Sequence, residues 1–284
     1  MKVLVFGASG MIGSAMFRVL SAKKGWHVWG TLRSADKKRF FSGKQQDMLV
    51  AGVDVEKHDA LVRVFARVKP DVVVNCIGLT KHHKEAEDPL LALLLNAQLP
   101  HRMADLCDVA GGRLIHVSTD CVFSGTKGNY AEGDATDAGD VYGKSKNLGE
   151  VNFPHAVTLR TSTIGHELQS AYGLLEWFLA QQGRCKGFSR ATFSGLPNTE
   201  FARVVRDVVI PRPDLHGLYH VGAAPIGKYE LLQLIAKAYG KQIDIVRDDD
   251  FSIDRSLNSV RFNKATGYKP EAWPELIQAM HASR

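Results

Sequence analysis

The chain has 284 residues, of which 45% are hydrophobic and 23% are charged, a composition typical of globular proteins and not of disordered or fibrous ones. The net charge of +6 is dispersed without an aromatic-basic stripe, which favours attraction of small polyanions such as nucleotides over nucleic-acid binding. No apolar run approaches the roughly 20 residues of a membrane span, no signal peptide leads the chain, and the four cysteines lack metal-ligand spacing, which together predict a cytoplasmic protein without membrane contact or a metal site.

Short runs rich in valine and isoleucine alternate with helical stretches through the first two-thirds of the chain. We expect strands at 2–6, 26–32, 72–76, 113–118 and 156–160, and helices at 11–22, 58–67, 89–110 and 142–153. This alternation predicts an α/β fold of the Rossmann type, a doubly wound parallel sheet with helices on both faces.

Beyond residue 164 the alternation loosens, and expected helices at 173–182 and 228–239 are joined by connections containing Gly, Pro and Asp. The sequence therefore predicts a first domain over 1–164 and a smaller C-terminal lobe over 165–284. Part of the later chain is expected to return to the first domain.

A glycine-rich turn follows the first expected strand. Gly7, Gly10 and Gly13 form a G-x-x-G-x-x-G pattern that leads directly into a helix. In dinucleotide-binding folds such glycines permit a tight turn, close approach of the backbone to a pyrophosphate, and close packing of helix on strand. The pattern predicts a dinucleotide site made by Gly7, Ser9, Gly10, Met11, Ile12 and Gly13, with the phosphates at the helix N-terminus.

The end of the second strand bears on the choice of cofactor. An acid here holds the ribose 2′-hydroxyl of NAD, whereas arginine suits the 2′-phosphate of NADP. Arg33 and Ser34 stand at this position, and no acid appears before Asp36. The sequence therefore favours NADP(H) over NAD, with a solvated basic loop as the alternative explanation.

Tyr142 and Lys146 lie four residues apart in an expected helix, so both side chains are expected on the same face. A lysine beside a tyrosine favours the phenolate and lowers a tyrosine pKa that is otherwise near 10. Such a tyrosine can exchange a proton with a carbonyl or alcohol oxygen near neutral pH.

With these motifs, the chain resembles the extended short-chain dehydrogenase/reductases, and among them the dTDP-4-dehydrorhamnose reductase group of nucleotide-sugar reductases. Further matching segments are Asp54-Val55, Asn75-Cys-Ile-Gly78, Asn96, the run Ser118-Thr-Asp-Cys-Val-Phe123, Tyr142-Gly-Lys-Ser-Lys146 with Gly149-Glu150, and Leu159-Arg-Thr161.

The resemblance implies a division of roles. Tyr142 would be the general acid, Thr119 would hydrogen-bond the substrate carbonyl, and Lys146 would hold the nicotinamide ribose. Asn96 would be a further member of the catalytic set. The other cofactor contacts that the resemblance implies are Asp54, Val55, Asn75, Cys76 and Gly78.

The implied activity is NADPH-dependent reduction of the C4 ketone of a nucleotide-linked 4-keto-6-deoxy sugar, in polysaccharide or deoxysugar biosynthesis. The nucleotide sugar would be the partner molecule, and a homodimer is possible because superfamily members often dimerise through helices such as 89–110 and 142–153. Candidates for holding the substrate are Thr80, Asp120, Val122, His166, Arg190, Ser194, Asn198 and Arg255.

Cys121 departs from the pattern and leaves alternatives open. Related dehydratases carry Glu after the Thr-Asp pair, so dehydration is not expected here. In GDP-fucose-synthase-like epimerase-reductases a cysteine near this place shuttles a proton with a histidine, for which His166 and His220 are candidates. The other possibilities are that Cys121 is a small buried hydrophobic residue, or that the protein is a non-catalytic NADP(H)-sensing regulator.

Overall fold

A computed structural model describes residues 1–80 and 88–283 of the chain. Within these residues, seven strands form the main sheet in the order β10-β6-β5-β4-β1-β2-β3. Their bounds are β1 Lys2–Phe6, β2 His27–Leu32, β3 Leu49–Ala51, β4 Val72–Asn75, β5 Arg113–Thr119, β6 Ala156–Thr161 and β10 Gly217–His220.

The strand order confirms the expected doubly wound sheet. β1 pairs in parallel with both β2 and β4, and β2–β3 and β4–β5 are also parallel. The chain therefore runs outward from β1 in one direction and, after β3, restarts beside β1 with β4. In such sheets ligands bind outside the carboxyl ends of the strands at this reversal point, which here is where β1 and β4 end.

The expected helices are present, although the one at 89–110 is divided and the one at 142–153 ends at Leu148. The helices of the first two-thirds are α1 Met11–Ser21, α2 Gly43–Asp47, α3 His58–Val68, α4 Pro89–Ala92, α5 Leu99–Ala110 and α6 Val141–Leu148, of which the short α2 was not expected. One core cluster, which includes Leu4, Phe6, Leu61, Met103 and Leu114, packs β1, β4 and β5 against α3 and α5. The apolar stripes of these helices are thus buried on the sheet.

The expected helix 89–110 contains a π-helical segment, Leu93–Gln98, between α4 and α5. Pro100 has no N–H to donate to the carbonyl of Asn96, so the regular helical bond is lost there. Gly149 packs against this carbonyl, since a Cβ on Gly149 would lie 1.9 Å from Asn96 O. Gly149 is also the C-cap of α6, which therefore ends earlier than the expected residue 153.

The described chain divides into two compact units. The first comprises Met1–Ser118, Gly139–Leu159 and Ala202–Leu218, and the second comprises Thr119–Ala138, Arg160–Phe201 and Tyr219–Arg284. The division is interleaved and is not a single cut at 164, because segments that follow the carboxyl ends of β5 and β6 belong to the second unit.

The later part of the chain holds long strands that the sequence analysis did not predict. Strand β8 pairs in parallel with β12 and antiparallel with β11. Polar and charged residues in both long strands obscure the alternation that marks a half-buried strand. The elements are β7 Thr163–Ile164, α7 Leu174–Ala180, β8 Arg184–Phe193, β9 Leu196–Pro197, α8 Asn198–Val204, β11 Ile226–Gly227, α9 Lys228–Tyr239, β12 Asp244–Asp254, α10 Val260–Thr266 and α11 Trp273–Ala282.

Among the helices in the described ranges, none combines the length and apolar character needed to cross a membrane.

Candidate active site

The turn between β1 and α1 is built by two glycines that the packing requires. Gly7 has a φ of 79°, a conformation that other residues rarely adopt, and a Cβ there would lie 3.0 Å from Ile77 Cγ1. A Cβ on Gly13 would lie 2.0 Å from the Gly7 carbonyl oxygen. These two residues therefore hold α1 directly against the end of β1.

Gly10 differs from its neighbours in the same turn. Its backbone is extended, with φ −78° and ψ 167°, which any residue can adopt. Among the described residues, a Cβ on Gly10 would meet only the Gly7 carbonyl oxygen, at an ordinary 3.5 Å. The chain leaves room at this surface for an approaching group, as a dinucleotide pyrophosphate requires.

The same turn presents the N-terminus of α1. Gly10 is the N-cap, no side chain in the described part of the chain caps it, and the first turn holds no acidic residue. The first N–H groups of a helix and its positive dipole end favour a phosphate. Ser9, Met11 and Ile12 are half-buried around this turn, so the arrangement fits the implied cofactor.

The loop after β2 exposes Arg33 and Ser34. Ser34 Oγ donates a hydrogen bond to Asp36, whose carboxylate also lies 3.7 Å from Lys37 Nζ. The Ser34 bond, with Lys37 and Arg39 nearby, lowers the pKa of Asp36. The hydroxyl expected to meet a 2′-phosphate is thus engaged by an acid two residues later, while the Arg33 side chain is exposed at the end of the strand.

After β3, Asp54 acts as a turn acid. Its carboxylate accepts the Glu56 N–H at 3.2 Å and lies 3.5 Å from Lys57 Nζ. Val55 packs, partly buried, against the core cluster beneath. Both contacts stabilise the loop that leads into α3, which leaves the expected adenine contact of these residues a prediction.

Three sequence-predicted residues stand at or just after the end of β4. Asn75 is fully buried and its Oδ1 accepts the Ile77 N–H at 3.0 Å. Burial raises the pKa of the Cys76 thiol to about 12, so this thiol is neutral at physiological pH. A Cβ on Gly78 would lie 3.6 Å from Asn96 Oδ1 and 3.9 Å from Lys146 Nζ, which places Gly78 over the catalytic candidates.

Asn96 links this loop to α6. Its Oδ1 accepts the Leu79 N–H at 2.8 Å, and its Nδ2 donates to Leu79 O and to Ser145 Oγ at 3.0 and 3.1 Å. Through these three hydrogen bonds, the Asn96 side chain joins the segment after β4 to the helix that carries Tyr142. This geometry favours a positioning role for Asn96.

The amine of Lys146 is buried beneath β5. Nζ donates to the Val117 carbonyl at 2.7 Å and lies 3.4 Å from His116 Nε2. Burial lowers the pKa of Lys146 to about 8, against the favourable charge of Glu150, which itself accepts a hydrogen bond from Ser118 Oγ at 2.7 Å. Tyr142, half-buried, stands one helical turn earlier on α6.

His116 was missed by the sequence analysis. It is fully buried in β5, between Asn75 and Lys146. The available signal was an imidazole in the otherwise apolar run that precedes the Ser118-Thr119-Asp120 motif.

Thr119 is the last residue of β5, two positions after Val117. Its hydroxyl donates to Asp120 Oδ1 at 3.2 Å and accepts the Cys121 N–H at 3.1 Å. Arg255 anchors on the same segment, since its Nε donates to Phe123 O at 2.7 Å and its Nη1 lies 3.8 Å from Cys121 Sγ. These contacts bring Arg255 together with Cys121 in the second unit.

Three substrate candidates are held by packing within the second unit. Val122 is buried in a cluster with Phe123, Tyr130 and Leu257. Ser194 is buried and its hydroxyl accepts the Leu257 N–H at 2.9 Å. Asn198 is also buried, against Gly165, where a Cβ would lie 2.1 Å from Asn198 Oδ1.

The two histidine candidates have different surroundings. His166 is fixed by Glu176 at 2.7 Å and by the Tyr239 hydroxyl at 2.9 Å. His220 is fully buried and lies between Tyr130 O and Arg160, and burial lowers its pKa to about 4. A neutral, enclosed imidazole of this kind is poorly suited to shuttling protons.

Of the remaining candidates, Arg190 is exposed on β8, and Thr80 is half-buried immediately before the undescribed residues 81–87. In the described ranges 1–80 and 88–283, no group of three or more His, Cys, Asp or Glu side chains is arranged to hold a metal ion.

Comparison with known proteins identifies the family of the chain. The family model described as RmlD substrate binding domain matches residues 1–283. The chain belongs to this family. The expected resemblance to nucleotide-sugar reductases is thereby confirmed.

Two of the similar curated proteins differ in the activity that their names give. The dTDP-4-dehydrorhamnose reductase of Salmonella typhimurium is 28% identical over 234 residues, which cover 78% of this chain and 73% of that protein. Methionine adenosyltransferase 2 subunit beta of Xenopus tropicalis is 27% identical over 259 residues, covering 84% of this chain and 72% of that protein.

Among solved structures, the dTDP-4-dehydrorhamnose reductase of Bacillus anthracis, in complex with NADP, superposes with a TM-score of 0.80. The match covers 100% of this chain and 99% of that one at 16% identity. This similarity supports the fold.

The glycine turn gives a matched pair of variants. Gly10→Ala should fold normally, because its Cβ meets an ordinary contact, yet should weaken NADPH binding at least about tenfold, because the methyl group occupies the approach to the pyrophosphate. Gly13→Ala should instead lose stability, by about 1–3 kcal/mol, from the clash with Gly7. Fluorescence titration with NADPH and thermal unfolding measure the two effects. Unchanged NADPH affinity in Gly10→Ala would show that the cofactor does not approach this turn.

Burial of Lys146 predicts an unusual pH dependence of stability. The folded pKa of about 8 lies below the 10.5 of an exposed lysine, so the ammonium destabilises the fold below pH 8 and this penalty is lost as the pH rises toward 10.5. Relative to the wild type, the free energy of unfolding of Lys146→Met should fall by about 2 kcal/mol between pH 7 and pH 9.5. Urea unfolding at both values checks this, with Lys144→Met, at an exposed lysine of the same helix, as the control that shows no such change.

Proposed function

We propose that the protein reduces the C4 ketone of a nucleotide-linked 4-keto-6-deoxy sugar, with NADPH as the hydride donor. One observation carries this proposal: the Lys146 amine is fixed under β5 by Val117, on the helix that bears Tyr142, at the edge of the sheet where β4 ends in Asn75. A buried lysine held next to a tyrosine suits proton transfer to an oxygen that gains charge.

The residues of the chain then have definite tasks. Tyr142 gives its proton to the ketone oxygen as that oxygen becomes an alkoxide. Lys146 stabilises the phenolate that remains, and the Thr119 hydroxyl donates a hydrogen bond to the same oxygen. When bound, NADPH supplies a hydride to the carbonyl carbon, and the turn Gly7–Gly13 with the N-terminus of α1 would hold its pyrophosphate.

Two features support the substrate class and the choice of cofactor. The chain belongs to a family in which relatives are named as dTDP-4-dehydrorhamnose reductases, whose substrates by name are nucleotide sugars. Arg33 is exposed at the end of β2, where a guanidinium suits a 2′-phosphate. We expect NADPH to be used in preference to NADH.

The alternatives lack such support. Epimerisation by Cys121 needs a proton-shuttling histidine, and of the two candidates His220 is a neutral buried residue while His166 is held between Glu176 and Tyr239. A purely regulatory protein has no need for the buried lysine beside Tyr142. One relative is named as a subunit of methionine adenosyltransferase and not as a reductase. Measured turnover of a keto sugar is therefore the observation that decides between an enzyme and a regulatory protein.

Replacing the proposed proton donor should separate binding from catalysis. Tyr142→Phe should bind NADPH as the wild type does and lose turnover by roughly 10²–10⁴-fold, since the ring is retained and only the acid is removed. NADPH consumption with UDP- and dTDP-4-keto-6-deoxy sugars, followed by NMR of the product, measures this. Tyr172→Phe, at an exposed tyrosine, is the matched control. Wild-type rates in Tyr142→Phe would remove Tyr142 from the mechanism.

Reaction in D2O distinguishes reduction from epimerisation. Simple reduction leaves the carbons next to the ketone unlabelled, because no C–H bond there is broken. Epimerisation through an enolate introduces solvent deuterium at one of these ring carbons. We expect product NMR to show no ring deuterium, and deuterium next to the former ketone would establish the epimerase-reductase alternative.

A further inference from the structure

His116 is a buried imidazole that none of the proposed catalytic steps uses. Its side chain lies in β5 with no exposed surface, 3.1 Å from Asn75 Nδ2 on one edge and 3.4 Å from Lys146 Nζ on the other. All three residues belong to the first unit. A ring in contact with the proposed catalytic lysine invites the question of which nitrogen carries its proton.

The contacts of Asn75 determine which ring nitrogen of His116 carries the proton. The Ile77 backbone N–H can only donate, so the Asn75 atom 3.0 Å from it is the amide oxygen. The amide NH2 of Asn75 therefore faces His116 Nδ1, and because an NH2 group can only donate, Nδ1 must accept. In the neutral ring the proton then sits on Nε2, the nitrogen that faces Lys146.

The Nε2–H group of His116 and the ammonium of Lys146 are therefore two hydrogen-bond donors that face each other. A lysine ammonium has three N–H donors and no acceptor, so it gains no hydrogen bond from an Nε2–H group. The contact distances agree, since Lys146 Nζ lies 2.7 Å from the Val117 carbonyl and only 3.4 Å from His116 Nε2. A neutral amine has a lone pair and could accept the Nε2 proton while still donating to Val117.

We propose that His116, fixed by Asn75 with its proton on Nε2, is a positioning residue that disfavours the ammonium form of Lys146. Its effect on the lysine depends only on contacts within the first unit. Its consequence for turnover rests on the proposed reductase function, in which the charge of Lys146 stabilises the Tyr142 phenolate.

The other charged groups near the pair are consistent with this role. Glu150 and Cys76 act on Lys146 in favour of its charged form, but the Cys76 thiol, with its pKa raised to about 12, is neutral at working pH. Burial, with Lys146 and His101 adding to it, lowers the pKa of His116 well below its usual value, so the ring stays neutral and keeps the Nε2–H tautomer. Against burial and the opposing ring edge, the ammonium is stabilised by the charge of Glu150 and by its hydrogen bond to the Val117 carbonyl.

Two variants remove the opposing donor by different routes. His116→Gln replaces the imidazole with an amide, whose oxygen can accept a hydrogen bond from the Lys146 ammonium. Asn75→Ala frees His116 to move its proton to Nδ1, so that Nε2 becomes an acceptor for Lys146. In both, the pKa of Lys146 should rise by about one unit or more from its value of about 8. His116→Phe keeps the ring shape without an acceptor and should give a smaller rise.

The test is an NMR titration of the full-length protein labelled with 13C at lysine Cε, with the Lys146 signal assigned by its loss in Lys146→Met and exposed Lys144 as the internal reference. A higher pKa of Lys146 in both His116→Gln and Asn75→Ala supports the proposal. An unchanged or lower value in the two folded variants overturns it.

Turnover gives an independent readout. The basic limb of the pH profile of kcat, which follows loss of the Lys146 proton, should move upward by the same amount in His116→Gln. If the pKa of Lys146 rises in the variants but no ketone is reduced, the proposed function fails and the role of His116 stands. If ketone is reduced and neither the titration nor the profile shifts, the role of His116 fails and the function stands.

Discussion

The arrangement of the proposed catalytic residues depends on the burial of one amine. Lys146 Nζ lies beneath β5, bonded to the Val117 carbonyl, with a pKa lowered by that burial to about 8. The Val117 carbonyl and the Glu150 carboxylate offset only part of the hydration that this amine loses, and the remaining cost lowers its pKa. The contact fixes α6 against the sheet and thereby sets the position of Tyr142.

Close backbone contacts also hold two of the neighbouring helices in place. Gly149 brings the end of α6 onto the Asn96 carbonyl, and the Asn96 side chain joins Leu79 to Ser145. At the neighbouring strand end, Gly7 and Gly13 hold α1 against β1 in the same manner. At Gly13 and Gly149, the absence of a side chain thus allows two backbones to meet next to the proposed site.

Much of this could be predicted from local sequence patterns. The alternation of strands and helices, the turn Gly7–Gly13 and the Tyr142–Lys146 spacing depend on short-range periodicity and on residues with few conformational choices, so they are visible without the fold. The contacts of Asn96 could not be predicted in this way, because its partners Leu79 and Ser145 are 17 and 49 residues away in the chain.

What could not be predicted depends on partners distant in the chain. Val122 lies in the Ser118–Phe123 motif and Ser194 lies far from it in the chain, and only the fold shows that both contact Leu257. β8 and β12 were missed because charged residues mask their alternation. His116 gained its meaning only when Asn75 and Lys146, respectively 41 and 30 residues away, were found on its two edges.

The most direct test of the account is transfer of deuterium from NADPH labelled at the nicotinamide C4. Incubation with a nucleotide-linked 4-keto-6-deoxy sugar should place one deuterium on C4 of the sugar ring, detected by NMR and mass spectrometry of the product. Product without deuterium at C4, or a folded protein that binds NADPH and transfers none to any such sugar, would contradict the proposal that this site reduces a sugar ketone.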